Sequence, residues 1–271
     1  MKFEHTRVFN FDGAFRGMRN PMNSWNKSDS MFYTIPDEMY DPGLEDWIQE
    51  RFEEAEMNPD DDYEREYFFE NWYDKTQWYW GDQSDCHDVI AIGPGDMKLA
   101  RNLINAGTPD RKFLREILVC VDITAPLYWW KEFDTYKVGT VANSTSTMHK
   151  LATTPITLDD FEISDLNLKE YPENAQRAEL KYPIDPDFIQ MALIPYLEYL
   201  RQQYLETKDV TYWKELIRWL PNGWLQTRTV TMSYENIRAM RAQRKHHKQT
   251  EWREDFINWS NKLPYAAELL G

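Results

Sequence analysis

The side chains most suited to chemistry in this sequence are arginines that recur at every third position. Arg238, Arg241 and Arg244 lie within a basic segment, residues 233–253, that also holds two lysines and two of the five histidines. On a helix this spacing forms one slowly drifting stripe, and its guanidinium groups can hold a phosphate or carboxylate through paired hydrogen bonds. The alternative is a solvated helix face paired with nearby glutamates such as Glu235.

The overall charge makes this basic segment stand out. The 271-residue chain has 31 Lys and Arg against 46 Asp and Glu, a formal net charge of −15. Proteins that coat nucleic acid need a dominant positive surface, so no nucleic-acid polymer is expected as a partner. A small anionic ligand fits this composition better.

Composition also sets the expected compartment and metal content. No run approaches the ~20 apolar residues of a membrane span, and the first residues lack the apolar stretch of a signal peptide. We therefore expect no membrane partner and a cytoplasmic location. Cys86 and Cys120 are far apart and show no CxxC spacing, which predicts neither a disulfide framework nor a metal site.

The elements that must position the basic stripe follow from hydrophobic patterning and helix-end signals. Asp96 is predicted to cap a helix that closes at Gly107, and Pro195 to kink a long one. The apolar residues of the tail, from Phe256 to Leu269, are predicted to be core or interface. Strands are predicted at residues 3–11, 117–124 and 224–232, and helices at 97–106, 127–133, 186–205, 212–218 and 233–253.

Residues 26–90 differ in character, being rich in acidic and aromatic side chains. Helical spacing within 45–56, together with the run at 67–73, predicts a helical insertion inside a single domain spanning residues 1–271. The acidic triplet at 60–62 lacks the central glycine and terminal glutamate of an EF-hand, so a solvated charge run is favoured over a calcium loop.

A polar stretch at residues 135–149 is unusual for a core element. It combines Ser and Thr hydroxyls with Asn143 and a single glycine. Such a loop can surround a phosphate or a flat heterocycle, and the alternative is an ordinary turn whose hydroxyls bond to the backbone.

The order of these elements over residues 92–255 resembles the flavin-dependent thymidylate synthases. Residues 106–109 (Ala-Gly-Thr-Pro) are similar to the family's Thr-Pro region, and residues 123–126 (Ile-Thr-Ala-Pro) to its strand-ending Ala-Pro. Residues 218–221 (Arg-Trp-Leu-Pro) are similar to its Arg…Leu-Pro helix end. Residues 247–251 (His-Lys-Gln-Thr-Glu) match His-x-Gln-x-Glu, with Arg244 three positions before the histidine where the family arginine is four before.

The family's Arg-His-Arg signature is changed in this chain. Thr135, Tyr136 and Lys137 stand at its three positions, so one cation of three remains. The form of this loop resembles a divergent branch associated with bacteriophages, which would place the protein in the cytoplasm of a host cell.

The resemblance implies an α+β fold with long helices packed on a small sheet, assembled as a homotetramer. It implies a methyltransferase that moves a one-carbon unit from methylenetetrahydrofolate to C5 of dUMP or a related nucleotide, with FAD carrying the hydride and NADPH reducing FAD. The altered signature favours a second hypothesis, a non-catalytic viral protein that binds or sequesters a nucleotide signal.

The resemblance also assigns roles to residues. Ser146 and Arg244 would be catalytic. The nucleotide would be bound by Asn143, Ser144, Ser146, Arg218, Arg238, Arg241 and Arg244. The flavin would be bound by Tyr136, Lys137, Thr140, His247 and Gln249.

Overall fold

The computed structural model describes residues 1–36, 77–79, 86–146, 151–163 and 189–271. Its strands are β1 (Lys2–Phe9), β2 (Met31–Pro36), β3 (Gln77–Tyr79), β4 (Cys86–Ala91), β5 (Leu118–Pro126), β6 (Val141–Ser144) and β7 (Leu225–Ser233). Its α-helices are α1 (Phe11–Arg19), α2 (Pro94–Ala106), α3 (Leu127–Phe133), α4 (Ile194–Thr207), α5 (Val210–Arg218), α6 (Tyr234–Arg244) and α7 (Ile257–Ser260).

Short helical turns complete the described chain. The 3-10 turns are Asn20–Met22, Trp25–Lys27, Lys112–Arg115 and Leu158–Asp160, and the π-helical turns are Ile189–Leu193, Glu251–Phe256 and Ala266–Leu270. The mixture of helices and strands agrees with the predicted α+β class.

The described strands form two sheets. The four-stranded sheet has the order β1-β5-β7-β6, and the three-stranded sheet has the order β2-β4-β3 with antiparallel pairing throughout. Along β5, alternate side chains from Val119 to Ala125 are fully buried, while Cys120, Asp122 and Thr124 between them are partly exposed. The sequence predicted burial on both faces of this strand; its hydroxyl and carboxylate residues instead keep one face partly solvated.

The chain divides into two compact units that are interleaved along the sequence. Unit 1 comprises residues 1–2, 123–136 and 142–229, and unit 2 comprises residues 3–122, 137–141 and 230–271. That residues 1–271 form one domain stays a prediction.

Unit 1 is built around an apolar cluster on α4 and α5, with Leu197, Leu200 and Leu216 almost completely buried. A π-helical turn, Ile189–Leu193, precedes α4, and Pro195 lies in the first turn of α4; the predicted kink at Pro195 stays a prediction. Proline at the start of α4 costs little, because the first-turn N–H groups have no helical partner. The C-cap of α4 is Lys208, whose φ of 58° is left-handed.

Unit 2 contains a buried ion pair that joins α1 to α2. Arg19 Nε donates to Asp96 Oδ1 at 2.5 Å, and the Ser28 and Ser30 hydroxyls each donate to Asp96 Oδ2 at 2.6 Å. The prediction that Asp96 caps its helix was wrong. Gly93 is the N-cap, and the Asp29 carboxylate accepts from the first-turn amides of Gly95 and Asp96 at 2.7 and 2.8 Å.

The described parts of segment 26–90 contain the strands β2, β3 and β4 and no α-helix. β2 and β4 pair from Met31 opposite Ala91 to Pro36 opposite Cys86, and β3 pairs with β4 on its other side. The predicted helices at 45–56 and 67–73, and the acidic triplet at 60–62, lie outside the described residues. The insertion itself therefore stays a prediction.

Candidate functional site

The basic stripe lies on α6, which begins with a reciprocal cap. Ser233 Oγ accepts from the Asn236 amide at 3.3 Å, and Asn236 Oδ1 accepts from the Ser233 amide at 3.1 Å. The helix ends at Arg244, earlier than the predicted 253, and the Gln249 amide donates to His247 Nδ1 at 3.2 Å in the turn that follows. The His-x-Gln-x-Glu segment is thus a turn leading into the π-helical Glu251–Phe256.

Beside α6 lies a cavity of about 510 Å³ within unit 2. Four cationic side chains line it, together with apolar groups that include Ile257 and Leu270. The four cations are Arg111, Arg238, Arg241 and Lys245. A concave surface with convergent cations and an apolar wall suits a small anion that carries a less polar body.

The four cations differ in how fully they are already paired. Arg111 forms a bidentate ion pair with Glu235, through Nε at 2.9 Å and Nη2 at 3.0 Å. Arg241 makes four hydrogen bonds, to the Ser260 hydroxyl, the Asn261 side chain and, twice, the Gly271 backbone oxygen, which leave one of its five N–H groups.

Arg238 and Lys245 retain far more donor capacity. Among the residues that the structure describes, the Arg238 side chain makes one hydrogen bond, from Nη1 to Leu269 O at 3.3 Å, and the exposed Lys245 side chain makes no hydrogen bond or ion pair. These two cations are the best placed to bind a ligand.

The electrostatics of α6 also favour an anion. Burial, then the charge of Arg111, lowers the pKa of the Arg238 guanidinium, and Glu235 opposes this in part. Burial and the neighbouring Arg238 lower the pKa of Arg241 in the same way. Like charges held together in a partly desolvated site repel one another, and a bound anion would relieve that repulsion.

A second group of predicted site residues lies in the loop before β6, residues 137–140. The Asn236 side chain reaches this loop, donating from Nδ2 to Val138 O at 2.7 Å. Lys137 is exposed, and Thr140 is partly buried. Both belong to unit 2 with α6.

The remaining predicted residues of unit 2 surround the end of α6. The Arg244 guanidinium lies 5.2 Å from the Trp252 ring centre, a cation–π distance. Gln249 Oε1 is buried and finds no hydrogen-bond donor among the described residues. A buried acceptor without a donor costs free energy, so this oxygen is suited to a ligand N–H or hydroxyl.

The other predicted residues belong to unit 1. Asn143 and Ser144 are exposed on β6, and Ser146 and Tyr136 are partly buried. Arg218 is exposed and forms an ion pair with Glu215 one turn earlier on α5, the arrangement of a solvated helix face.

Gln226 positions the segment that follows β6. Its Nε2 donates to Thr145 O at 2.9 Å, and its Oε1 accepts from Arg228 Nε at 3.0 Å. Arg228 also stacks over Trp130, with its guanidinium carbon 4.3 Å from the ring centre.

Sequence reasoning gave no site role to Arg111, Asn236 and Lys245 of unit 2, or to Gln226 of unit 1. Lys245 was within the basic segment, and Asn236 stands three residues after a capping serine, a spacing that indicates a capping box. Arg111 and Gln226 carried no local signal, because their partners lie far along the chain.

Solved structures that are similar to this chain include two of the flavin-dependent thymidylate synthase ThyX from Helicobacter pylori, both with FAD and dUMP. Each match covers 100% of this chain and 97% of the other, with a TM-score of 0.55 and 14% sequence identity. This chain is similar in fold to ThyX. The likeness confirms the predicted type of fold, and at this identity it shows the fold alone.

Sequence comparisons add nothing further to the ThyX likeness: no family model matches the chain, and no curated protein matches it. Within the described ranges, no helix combines the length and apolar character needed to cross a membrane.

Proposed function

We propose that this protein is a flavin-dependent thymidylate synthase-like enzyme that transfers a one-carbon unit to C5 of dUMP or a related pyrimidine nucleotide. The observation that carries the proposal is the cationic cavity on α6, in which Arg238 and Lys245 keep free donors. It lies in a chain that is similar in fold to an enzyme crystallised with FAD and dUMP.

The charge of the cavity suits a nucleotide phosphate. Arg111 and Glu235 neutralise each other, which leaves the charges of Arg238, Arg241 and Lys245. A phosphate monoester would accept charge-assisted hydrogen bonds from Arg238 and Lys245, while Arg241 keeps the wall of the cavity in place. The apolar wall would lie beside the less polar part of the nucleotide.

The residues present fit FAD at specific points. Gln249 Oε1 is a buried acceptor that a hydroxyl or ring N–H of the cofactor could satisfy. Lys137 would supply a cation for its pyrophosphate, and Tyr136, Thr140 and His247 would complete the contacts. FAD would supply hydride transfer, with NADPH and methylenetetrahydrofolate as co-substrates.

The other proposed roles follow from the same resemblance. Asn143, Ser144 and Ser146 would contact the nucleotide, and Ser146 and Arg244 would act at the reacting pyrimidine by position and charge. Arg218 would also contact the nucleotide, although its pairing with Glu215 favours a solvated role. The protein would be a cytoplasmic homotetramer of the bacteriophage-type branch.

A nucleotide binder without flavin chemistry is the second candidate. It is favoured by the replacement of Arg-His-Arg by Thr135, Tyr136 and Lys137, since a single exposed lysine offers a pyrophosphate fewer bidentate donors than two arginines.

Reconstitution and titration separate the two candidates. The protein is incubated with FAD, freed of excess cofactor and examined for flavin absorption, and calorimetry then measures dUMP binding. The enzyme proposal expects a yellow protein whose dUMP affinity falls in Arg238→Ala and is unchanged in Lys214→Ala, which removes an exposed cation on α5 outside the proposed site. A colourless protein that binds dUMP supports the second candidate, and failure to bind either ligand contradicts both.

A further inference from the structure

Asn236 uses the two ends of its side-chain amide for two different tasks. Its Oδ1 accepts from the Ser233 backbone amide at 3.1 Å and from the Ser233 hydroxyl at 2.7 Å, which closes the cap of α6. Its Nδ2 donates to Val138 O at 2.7 Å. The cap needs only the oxygen, so the Val138 bond is a separate function of the same residue.

The loop is shaped to receive this side chain. Gly139 has a φ of 77°, in the left-handed region that glycine adopts without strain. A Cβ on Gly139 would lie 3.0 Å from Asn236 Oδ1, so a larger residue would push the loop away from α6. Conformation and close approach therefore both favour glycine at the point where the loop meets the helix.

Packing does little to hold this loop. Val138 is 87% exposed and Val141 is 65% exposed, and Lys137 is exposed as well. Segments with few buried apolar contacts open at low free energy, so individual hydrogen bonds have a large share in fixing them. The Val138 bond is placed to be such a restraint.

We infer that Asn236 is a positioning residue that fixes the 137–140 loop to the first turn of α6 and thereby couples ligand binding at the loop to nucleotide binding at Arg238. The inference rests on the proposed function for its ligands, FAD at Lys137 and dUMP at Arg238. Arg238 follows Asn236 by two residues on the same helix, so a nucleotide that orders α6 also orders the anchor of the loop. Coupling of this kind is reciprocal between the two ligands.

Two variants separate the anchor from the cap. Asn236→Asp keeps an oxygen for the Ser233 amide and suits a helix first turn, but it loses the donor to Val138 O. Ser233→Ala removes the cap hydroxyl and leaves the Asn236–Val138 bond. Circular dichroism and thermal melts establish that both variants are folded.

The first measurement is amide hydrogen exchange of residues 137–140 in the ligand-free protein. Loss of one hydrogen bond predicts roughly tenfold faster exchange in Asn236→Asp and little change at the loop in Ser233→Ala. Unchanged loop exchange in Asn236→Asp overturns the inference, whatever the protein binds.

The second measurement is the calorimetric affinity for dUMP with and without saturating FAD. The wild type and Ser233→Ala should share one affinity ratio above unity, and Asn236→Asp should bring that ratio close to one. Any direct repulsion by the new carboxylate acts in both titrations and largely cancels in the ratio. An unchanged ratio in Asn236→Asp overturns the inference. A wild type that binds neither ligand contradicts the proposed function; hydrogen exchange of the loop then decides whether Asn236 anchors residues 137–140.

Discussion

Arg238 and Arg241 lie one turn apart on α6, yet with the described residues the Arg241 side chain makes four hydrogen bonds and the Arg238 side chain makes one. The partners of Arg241 lie between Ser260 and Gly271, so this guanidinium holds the C-terminal segment against the helix. Arg238 faces the same cavity with most of its donors free. Although both belong to the same evenly spaced stripe, Arg241 is therefore structural and Arg238 is a candidate ligand-binding residue.

This division predicts that one alanine variant loses nucleotide affinity and the other loses stability. Arg238→Ala should weaken nucleotide binding roughly tenfold to a hundredfold, by loss of a charge-assisted pair of ~1.5–3 kcal/mol, with little change in the free energy of unfolding. Arg241→Ala should lower the free energy of unfolding by about 2–3 kcal/mol through its lost hydrogen bonds. Calorimetry and urea denaturation measure the two effects. Equal loss of affinity and stability in both variants would show that the division is wrong.

The buried pair of Arg19 and Asp96 should dominate the stability of its part of unit 2. Asp96→Ala leaves the Arg19 charge buried at 6% exposure without its carboxylate, which should cost about 3–5 kcal/mol. Urea denaturation measures the loss, with Asp110→Ala as an exposed aspartate control. A loss below about 1 kcal/mol would mean that solvent or other groups replace the carboxylate easily.

Glu198 should make unit 1 sensitive to acid. Burial acts to raise the pKa of Glu198, but hydrogen bonds from Arg201 and the Ile156 amide, with the Arg201 charge, outweigh it and hold the pKa below its ordinary value of 4.5. Because the folded pKa is the lower one, the stabilisation is present above pH 4.5 and is lost as the pH falls through the folded pKa.

Thermal melts between about pH 7 and about pH 3 test this dependence. Glu198→Gln should be less stable than the wild type at neutral pH and should lose less stability on acidification. Glu206→Gln, on the same helix and exposed, is the matched control. Parallel stability curves for the wild type and Glu198→Gln would count against a lowered pKa.

Gln226 should position residues 145–146, which follow β6. Gln226→Glu keeps the acceptor for Arg228 but removes the donor to Thr145 O. We expect faster hydrogen exchange at Thr145 and several-fold weaker dUMP binding, a loss of about 1 kcal/mol. Gln202→Glu, an exposed change of the same type on α4, controls for added charge. Unaltered exchange at Thr145 would show that β6 fixes this segment without Gln226.

Local patterns in the sequence predicted several elements well. Leu127–Phe133 is the amphipathic helix that its aromatic spacing indicated, with Trp129, Trp130 and Phe133 buried, and β7 matches its β-branched run. Asp96 was misassigned as a cap because a capping carboxylate and a buried ion-pair carboxylate look alike in sequence. Pro94 carried the better signal, since proline favours the first helical turn.

Partners distant along the chain could not be predicted. Arg111 lies 124 residues from Glu235, and Asn236 lies 98 residues from Val138, so no local pattern links either pair. The end of α6 was placed too late because the basic pattern continues past Arg244, while the Gln249 amide bonds to the His247 side chain and not along the helix. Long-range hydrogen bonding therefore decided which basic residues are free to bind a ligand.

Anaerobic turnover tests the proposed enzyme most directly. Protein reconstituted with FAD is mixed with NADPH under anaerobic conditions, and dUMP and methylenetetrahydrofolate are then added. We expect that NADPH bleaches the flavin, that the later additions restore its absorption, and that mass spectrometry detects a 5-substituted nucleotide, with much less product from Arg238→Ala. Protein that fails to retain FAD, or whose flavin is reduced without any 5-substituted product, would contradict the proposed enzyme.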